Sequence, residues 1–408
     1  MESSKVLNFL KKYRSYIFLP IISILHLVAC FYYDFWILAT IFGVALLLIS
    51  DFAHIIYYTL FFQMFSSCGK FSVICTFVAS AVICIMYIKG LITKKEKFYL
   101  APFVLTCLIC LLGSIHHTTI TESGVYQGAS LIVALFFIYL IFVYRDRFKL
   151  RRCADYLVFG ILATSIISLL TILFKTHHSH FVSIFGNLHR LKLLTGNANS
   201  LAIYCSLALS IYVSNILTKK DNLYKNIVLG LLTISFGLST KSKCFLIVCC
   251  FIILYLFFML IVKYKLKSFM FIIPAIIGLL ILSLVFDSTI ESIFKRFLNR
   301  VDGELSLSTL TTGRSKLWTM YFNEITSSIR KLLIGVGLFS ERLVRIGPHN
   351  LFIHLLYRMG LIGIFLLGLL CYFYYQSAKG TRKSLKPTLK TSLTLVVFIM
   401  ISMIESFL

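Results

Sequence analysis

Long apolar runs separated by short basic clusters dominate this 408-residue sequence and restrict it to a membrane fold. A helix needs about 20 apolar residues to cross a bilayer, with a range of about 17–25. Hydrophobic residues make up 59% of the chain and charged residues only 13%. Soluble domains average about 45–50% apolar and about 25% charged residues. The sequence therefore predicts one all-α, polytopic membrane domain over residues 1–408.

Five basic clusters predict which loops face the cytoplasm. They begin at Lys89, Arg145, Lys219, Lys263 and Lys379. Short loops rich in Lys and Arg mark the cytoplasmic side of a membrane protein. Between successive clusters lie two apolar runs each, which predict out-and-back helical hairpins. The runs are 98–114 with 129–145, 154–174 with 198–217, 226–240 with 243–262, and 268–287 with 350–376, followed by a final run at 388–406.

The first 88 residues leave the number of spans open. The basic N-terminus precedes an apolar stretch at 17–33 without a small-residue cleavage site, which predicts an uncleaved first span. The stretch from Phe35 to Phe62 is either one long helix or two short helices with Asp51 between them. The basic N-terminus and the Lys89 cluster should share a side, which favours an even number of spans between them. The sequence predicts about 12 transmembrane helices, within a range of about 11–13.

Cations in the predicted outer connections contradict the positive-inside rule. These connections are 115–128, 175–197, 240–243 and the long outer loop 288–349. Arg190 and Lys192 lie in the second connection, Lys241 and Lys243 in or beside the third, and Arg314 in the fourth. Arginine binds phosphate bidentately and lysine binds it as a point charge, so several outer cations predict a pyrophosphate site. For Lys241 and Lys243, snorkelling to the membrane interface is an equally good interpretation.

His349 is the candidate general base. A histidine can accept a proton near neutral pH. His349 is expected to start the helix of the run 350–376, where the helix dipole favours a neutral ring. Judged alone, an N-cap or interfacial histidine is about as good an interpretation. Asn350 is expected either to cap this helix or to hydrogen-bond a substrate.

The sequence predicts no metal site and no cofactor. His177, His178 and His180 could bind a metal, but no nearby Cys or acidic residue completes a site, which favours a solvated loop. Cys107 and Cys110 form a C-x-x-C inside a continuous apolar run, which favours a buried pair. The chain contains neither a D-x-D sequence nor a P-loop motif. An enzyme with this sequence would use cations and a histidine.

Five short motifs follow one another between residues 195 and 370. They are G-N-A-N at 196–199, S-K at 242–243, T-G-R-S-K-L-W at 312–318, G-V-G at 335–337, and H-N at 349–350 with G-L-I-G at 360–363. In this order they resemble the catalytic core of the O-antigen ligase and O-antigen (capsular) polysaccharide polymerase superfamily of bacterial membrane glycosyltransferases. Lys243, with Lys241 as the second choice, stands where that family has an arginine, so the charge is kept but the bidentate geometry is lost.

The resemblance implies an inverting, metal-independent glycosyltransferase of the bacterial cytoplasmic membrane with an outward-facing site. The donor would be a polyprenyl-pyrophosphate-linked glycan. The acceptor would be another glycan in a polymerase, which is slightly favoured, or lipid A–core in a ligase. Arg314 and His349 would be catalytic, and Arg190, Lys192, Lys241 and Lys243 would bind the pyrophosphate. The supporting residues would be Asn197, Asn199, Trp318 and Asn350.

Membrane lipids, a flippase and a chain-length regulator are the partners that this class implies, and nucleic acid is not expected. The alternative from a non-enzyme class is a flippase or transporter of lipid-linked oligosaccharides. Such a protein should carry cations along a central path and polar residues in the middle of its spans.

Overall fold

The structure is a computed structural model of the chain. It describes residues 2–115, 122–174, 182–185, 188–218, 222–264, 314–340, 343, 348–381 and 389–404. The chain divides into two compact units. The first unit consists of Met1–Met86, Asp146–Ile293 and Leu393–Val397, and the second of Tyr87–Arg145, Phe294–Ser392 and Phe398–Leu408.

The described residues are helical apart from turns, three short 3-10 segments and one β-hairpin, so the all-α prediction is confirmed with that one addition. The helices before the hairpin are α1 (Glu2–Ala29), α2 (Phe35–Leu48), α3 (Phe52–Phe62), α4 (Phe71–Ile92), α5 (Leu100–Ile115), α6 (Glu122–Val143) and α7 (Leu150–Leu173). The antiparallel hairpin is β1 (Val182–Phe185) with β2 (Leu188–Leu191). The later helices are α8 (Ala198–Thr218), α9 (Leu223–Ser239), α10 (Lys243–Tyr264), α11 (Arg314–Thr326), α12 (Ile329–Ile334), α13 (Leu351–Thr381) and α14 (Leu389–Ile404).

Several helices have the length and composition of membrane spans. Four helical stretches in the described part of the chain are long and apolar enough to cross a bilayer: Phe71–Ile92, Leu150–Leu173, Ala198–Thr218 and Leu351–Gln376. Eight further apolar helices there are shorter, with 10–17 residues each. The prediction of about 12 spans stays a prediction.

The region from Phe35 to Phe62 forms two short helices, as one of the two sequence interpretations expected. Asp51 separates them because its carboxylate caps α3, accepting the His54 backbone N–H at 3.1 Å. The same carboxylate pairs with Arg14 at 2.5 Å. This ion pair fixes the start of α3 beside α1.

Helices of the first unit run back and forth between two ends of that unit. At one end, named the basic end, the Lys149 N–H donates to the Tyr57 hydroxyl at 2.8 Å, and Lys225 pairs with the buried Asp155 at 2.8 Å. The opposite end, named the hairpin end, holds β1 and β2 and the starts of α8 and α10. The basic loops and the unusual cations therefore lie at opposite ends of this unit.

Two predicted outer connections contain more regular structure than expected. The connection 115–128 is shorter, because α6 already begins at Glu122. Within the long loop 288–349, the described residues include α11 and α12. The predicted run 268–287 lies outside the described residues.

Candidate functional site

Arg190 joins three of the predicted site segments at the hairpin end. It lies on β2, opposite Ser183 of β1. Its Nε donates to the carbonyl oxygen of Thr240 at 3.0 Å, and its Nη2 donates to Oδ1 of Asn199 at 2.7 Å. The guanidinium thereby links the second outer connection to the first turn of α8 and to the turn between α9 and α10.

The G-N-A-N motif is the start of α8, and its two asparagines have different tasks. Gly196 adopts a left-handed backbone with φ +74°, which a residue with a Cβ rarely adopts. Oδ1 of Asn197 accepts the Asn199 backbone N–H at 2.9 Å, so Asn197 caps the helix. Asn199 instead uses its side chain to hold Arg190. Lys192 lies just before this motif and is half-buried.

The turn from Thr240 to Lys243 places two lysines beside the Arg190 contact. The Thr240 hydroxyl donates to the Gly237 carbonyl at 2.6 Å and accepts the Ser242 N–H at 3.2 Å, which shapes the turn. Lys241 has a left-handed backbone with φ +49°, and Lys243 is the first residue of α10. Both lysines are half-buried.

The hairpin end therefore collects positive charge. Four cations belong to it, and we name them the cation cluster: Arg190, Lys192, Lys241 and Lys243. α8 and α10 pack against each other, and the positive ends of both helix dipoles lie at the hairpin end. The sequence stretches 188–200 and 236–245 contain no Asp or Glu. Helix N-termini combined with cations form a site suited to a phosphate or another anion.

In the second unit, His349 lies immediately before α13. Its backbone is left-handed with φ +49°, which is uncommon for a residue with a side chain and often marks functional positions. Oδ1 of Asn350 accepts the Ile353 N–H at 3.1 Å, and its Nδ2 donates to the Met403 carbonyl at 3.0 Å. Asn350 is thus the helix cap, one of its two predicted roles, and His349 precedes the helix instead of starting it.

Trp318 connects α11 to the segment that carries His349. Its Nε1–H donates to the carbonyl of Pro348 at 2.8 Å. Arg314 begins α11 four residues before Trp318, so the two side chains share one face of the helix. Tyr321 of α11 and Tyr357 of α13 pack edge to face, with ring centroids 5.0 Å apart.

The G-V-G motif at 335–337 lies against the start of the G-L-I-G motif at 360–363, and α13 breaks there. Gly360 has φ +63° and ψ −170°, a combination that essentially only glycine adopts. The N–H of Val336 donates to the Tyr357 carbonyl at 2.9 Å, and the N–H of Gly337 donates to the Arg358 carbonyl at 3.1 Å. The G-V-G segment therefore binds the carbonyls that the break releases from the helix ladder.

Arg358 is a residue whose importance the sequence analysis missed. It is only 1% exposed, and its Nη1 donates to the carbonyls of Gly337 at 3.3 Å, Leu338 at 3.1 Å and Ser340. Its position inside the apolar run 350–376 could have marked Arg358 as important. Ionisable residues within membrane helices are costly and usually serve a structural or functional role. Arg358 holds the 337–340 segment against α13.

The structure thus brings the predicted residues together in two groups, one in each unit. His177, His178 and His180 lie outside the described residues, as do Thr312 and Gly313. Within the part that the structure describes, no cluster of three His, Cys, Asp or Glu side chains could hold a metal ion. Cys107 and Cys110 both lie in α5 with free thiols, and Cys110 is buried.

No protein-family model, curated protein or solved structure matches this chain. The resemblance to O-antigen ligases and polymerases therefore stays a prediction from the five motifs. The function has to be argued from the two groups of residues.

Proposed function

We propose that this protein is a multi-pass glycosyltransferase of the bacterial cytoplasmic membrane. It transfers a glycan from a polyprenyl-pyrophosphate donor to an acceptor hydroxyl on the outer side. The observation that carries the proposal is the cation cluster, in which Arg190 is held by Asn199 and Thr240 between the starts of two helices.

The cation cluster has the chemistry that a diphosphate requires. Two of the guanidinium nitrogens of Arg190 are engaged by protein oxygens, so the plane of the group is fixed before a ligand arrives. Lys192, Lys241 and Lys243 add point charges within a few residues of this anchor. Charge-assisted hydrogen bonds to phosphate are about twice as strong as neutral ones.

The second group supplies the chemistry of the transfer. His349 accepts the proton of the acceptor hydroxyl while the hydroxyl oxygen attacks the anomeric carbon. The bond from that carbon to the donor phosphate breaks, and the polyprenyl pyrophosphate leaves with the electron pair. Arg314 of the same group stabilises the charge that develops on this leaving group. The left-handed backbone of His349 and the Trp318 bond to Pro348 fix the course of the chain at the residue that carries the imidazole.

A transporter of lipid-linked glycans is the weaker alternative. Its cations should line a path through the middle of the spans. In the cation cluster, by contrast, every member lies at or near a helix start. Arg358 lies inside α13, but backbone carbonyls hold its guanidinium. These placements favour a surface site for a headgroup over a transport path.

Complementation of a deletion strain tests the proposal. The strain should regain its polymer with the wild-type gene and with Lys316→Ala, because Lys316 is an exposed residue of α11. His349→Ala and Arg314→Ala should not restore it, although both proteins reach the membrane at wild-type levels. Full polymer from His349→Ala would remove the base assignment, and full polymer from Arg314→Ala would remove that residue from the reaction.

The glycan ladder of the same strain separates the two transfer reactions. We expect a single repeat unit on the lipid carrier or acceptor, which is the product left when a polymerase is missing. Full-length chains that remain on the lipid carrier would instead identify a ligase.

A further inference from the structure

Two cysteines of the first unit line one small cavity at the hairpin end. The cavity has a volume of about 130 Å³ and is bounded by Cys30, Cys68, Trp36 and Leu194 among others. Cys30 follows the last residue of α1, and Cys68 lies in the turn before α4. Both thiols are free and partly exposed. Neither cysteine lies within a helix, so each can reorient its side chain more easily than a helical residue.

The two thiols that border this cavity are both weaker acids than a free cysteine. Burial raises the pKa of Cys68, and the neighbouring Cys30 raises it further. Burial also raises the pKa of Cys30, to about 11. The Cys30 thiol donates a hydrogen bond to the carbonyl of His26 at 3.2 Å. The pKa of Cys68 is raised further than that of Cys30, so Cys30 is the more easily ionised of the two thiols.

The turn that carries Cys68 also holds the segment next to the cation cluster. The backbone N–H and the hydroxyl of Ser67 both donate to the Leu194 carbonyl, at 2.8 and 2.7 Å. The hydroxyl of Ser66 donates to the Thr195 carbonyl at 2.9 Å. Any link between Cys68 and the end of α1 would thereby restrain residues 194–195, two residues beyond Lys192.

We propose that Cys30 and Cys68 are a modification site at which a reversible disulfide forms and fixes the 194–195 segment. The hairpin end is the predicted outer end, and disulfides persist in compartments outside the cytoplasm. The consequence for donor binding rests on the proposed function, whereas formation of the bond does not.

A disulfide-containing oxidant of the R–S–S–R class supplies the chemistry. The Cys30 thiolate attacks one sulfur of the oxidant, forms a mixed disulfide and releases one thiolate. Cys68, after losing its proton, attacks the Cys30 sulfur and displaces the second thiol. The oxidant takes up two electrons and becomes two thiols, and the two cysteine protons are transferred to the released thiolates.

Disulfide mapping of the purified full-length protein tests the site. The reduced protein is treated with oxidised glutathione, unfolded, alkylated with N-ethylmaleimide and digested for mass spectrometry. We expect a linked peptide pair that contains Cys30 and Cys68, while the matched control pair Cys107 and Cys110 stays alkylated. As long as the pH stays below the pKa of Cys30, linkage should become roughly tenfold faster for each unit by which the pH is raised. Full alkylation of both Cys30 and Cys68 after treatment would overturn the proposal.

The variants Cys30→Ser and Cys68→Ser give a second measurement. Each should leave its remaining partner alkylated, and a disulfide from Cys68 to another cysteine in Cys30→Ser would also refute the pairing. Oxidation should change the affinity for a polyprenyl pyrophosphate in the wild type and in neither variant. An unchanged affinity in a fully linked protein would refute the restraint on the 194–195 segment, although the bond itself would stand.

Discussion

Replacing Gly360 by alanine should destabilise the second unit by about 2–6 kcal/mol. The backbone at φ +63° and ψ −170° costs a residue with a Cβ about 1–3 kcal/mol. An added Cβ would also lie 2.4 Å from the carbonyl carbon and oxygen of Leu333, and these backbone atoms cannot rotate away. Relief of this clash needs a movement that lengthens the bonds from Val336 to Tyr357 and from Gly337 to Arg358. Each such bond contributes about 0.5–1.5 kcal/mol.

Gly368→Ala is the matched control, because it lies in the same helix and its added Cβ meets nothing within 4 Å. Alanine is the better helix former by about 1 kcal/mol, so this variant should be neutral or slightly stabilised. Thermal unfolding followed by tryptophan fluorescence in detergent separates the two variants. At roughly 2–4 °C for each kcal/mol, Gly360→Ala should lose roughly 4–24 °C in Tm. Equal Tm values for both variants would refute the account of the helix break.

Three further substitutions test the contacts of the two groups. Arg190→Lys keeps the charge but loses the paired bonds to Asn199 and Thr240. The affinity for a polyprenyl pyrophosphate, measured by titration, should therefore fall at least about tenfold. An unchanged affinity would refute the role of these bonds. Trp318→Phe removes one hydrogen bond beside His349 and should lower the transfer rate. The free energy of unfolding should fall by only about 0.5–1.5 kcal/mol. An unchanged transfer rate would refute the positioning role of Trp318. Arg358→Gln leaves buried carbonyls without their donor and should lower the unfolding free energy by about 1–3 kcal/mol, with Arg358→Lys in between; wild-type stability of Arg358→Gln would contradict this.

Helix positions in this chain follow from local hydropathy, and the sequence therefore predicted them well. The expected run 154–174 corresponds to α7 at Leu150–Leu173, and the run 198–217 to α8 at Ala198–Thr218. Over Phe35–Phe62 the sequence allowed either one long helix or two short helices with Asp51 between them, and the structure shows two, with Asp51 capping the second. These features depend on residues that are neighbours in the sequence.

Contacts between distant segments were out of reach of the same reasoning. The bond from Arg190 to Thr240 joins residues 50 positions apart. The insertion of the G-V-G segment against the break at Gly360 depends on backbone carbonyls, which carry no sequence signature. The sequence shows the G-V-G and G-L-I-G motifs separately, and only the fold places them together. The β1–β2 hairpin was missed for a similar reason, since its four-residue strands are too short to show a clear alternation.

The central claim is tested most directly by transfer with the purified protein in lipid nanodiscs. A synthetic polyprenyl-pyrophosphate-linked repeat unit serves as donor and a second such molecule as acceptor. The account predicts a lengthened glycan and the release of one polyprenyl pyrophosphate for each bond formed, with both products lost in His349→Ala. Wild-type protein that binds the donor but forms no longer glycan with either this acceptor or lipid A–core would contradict the account.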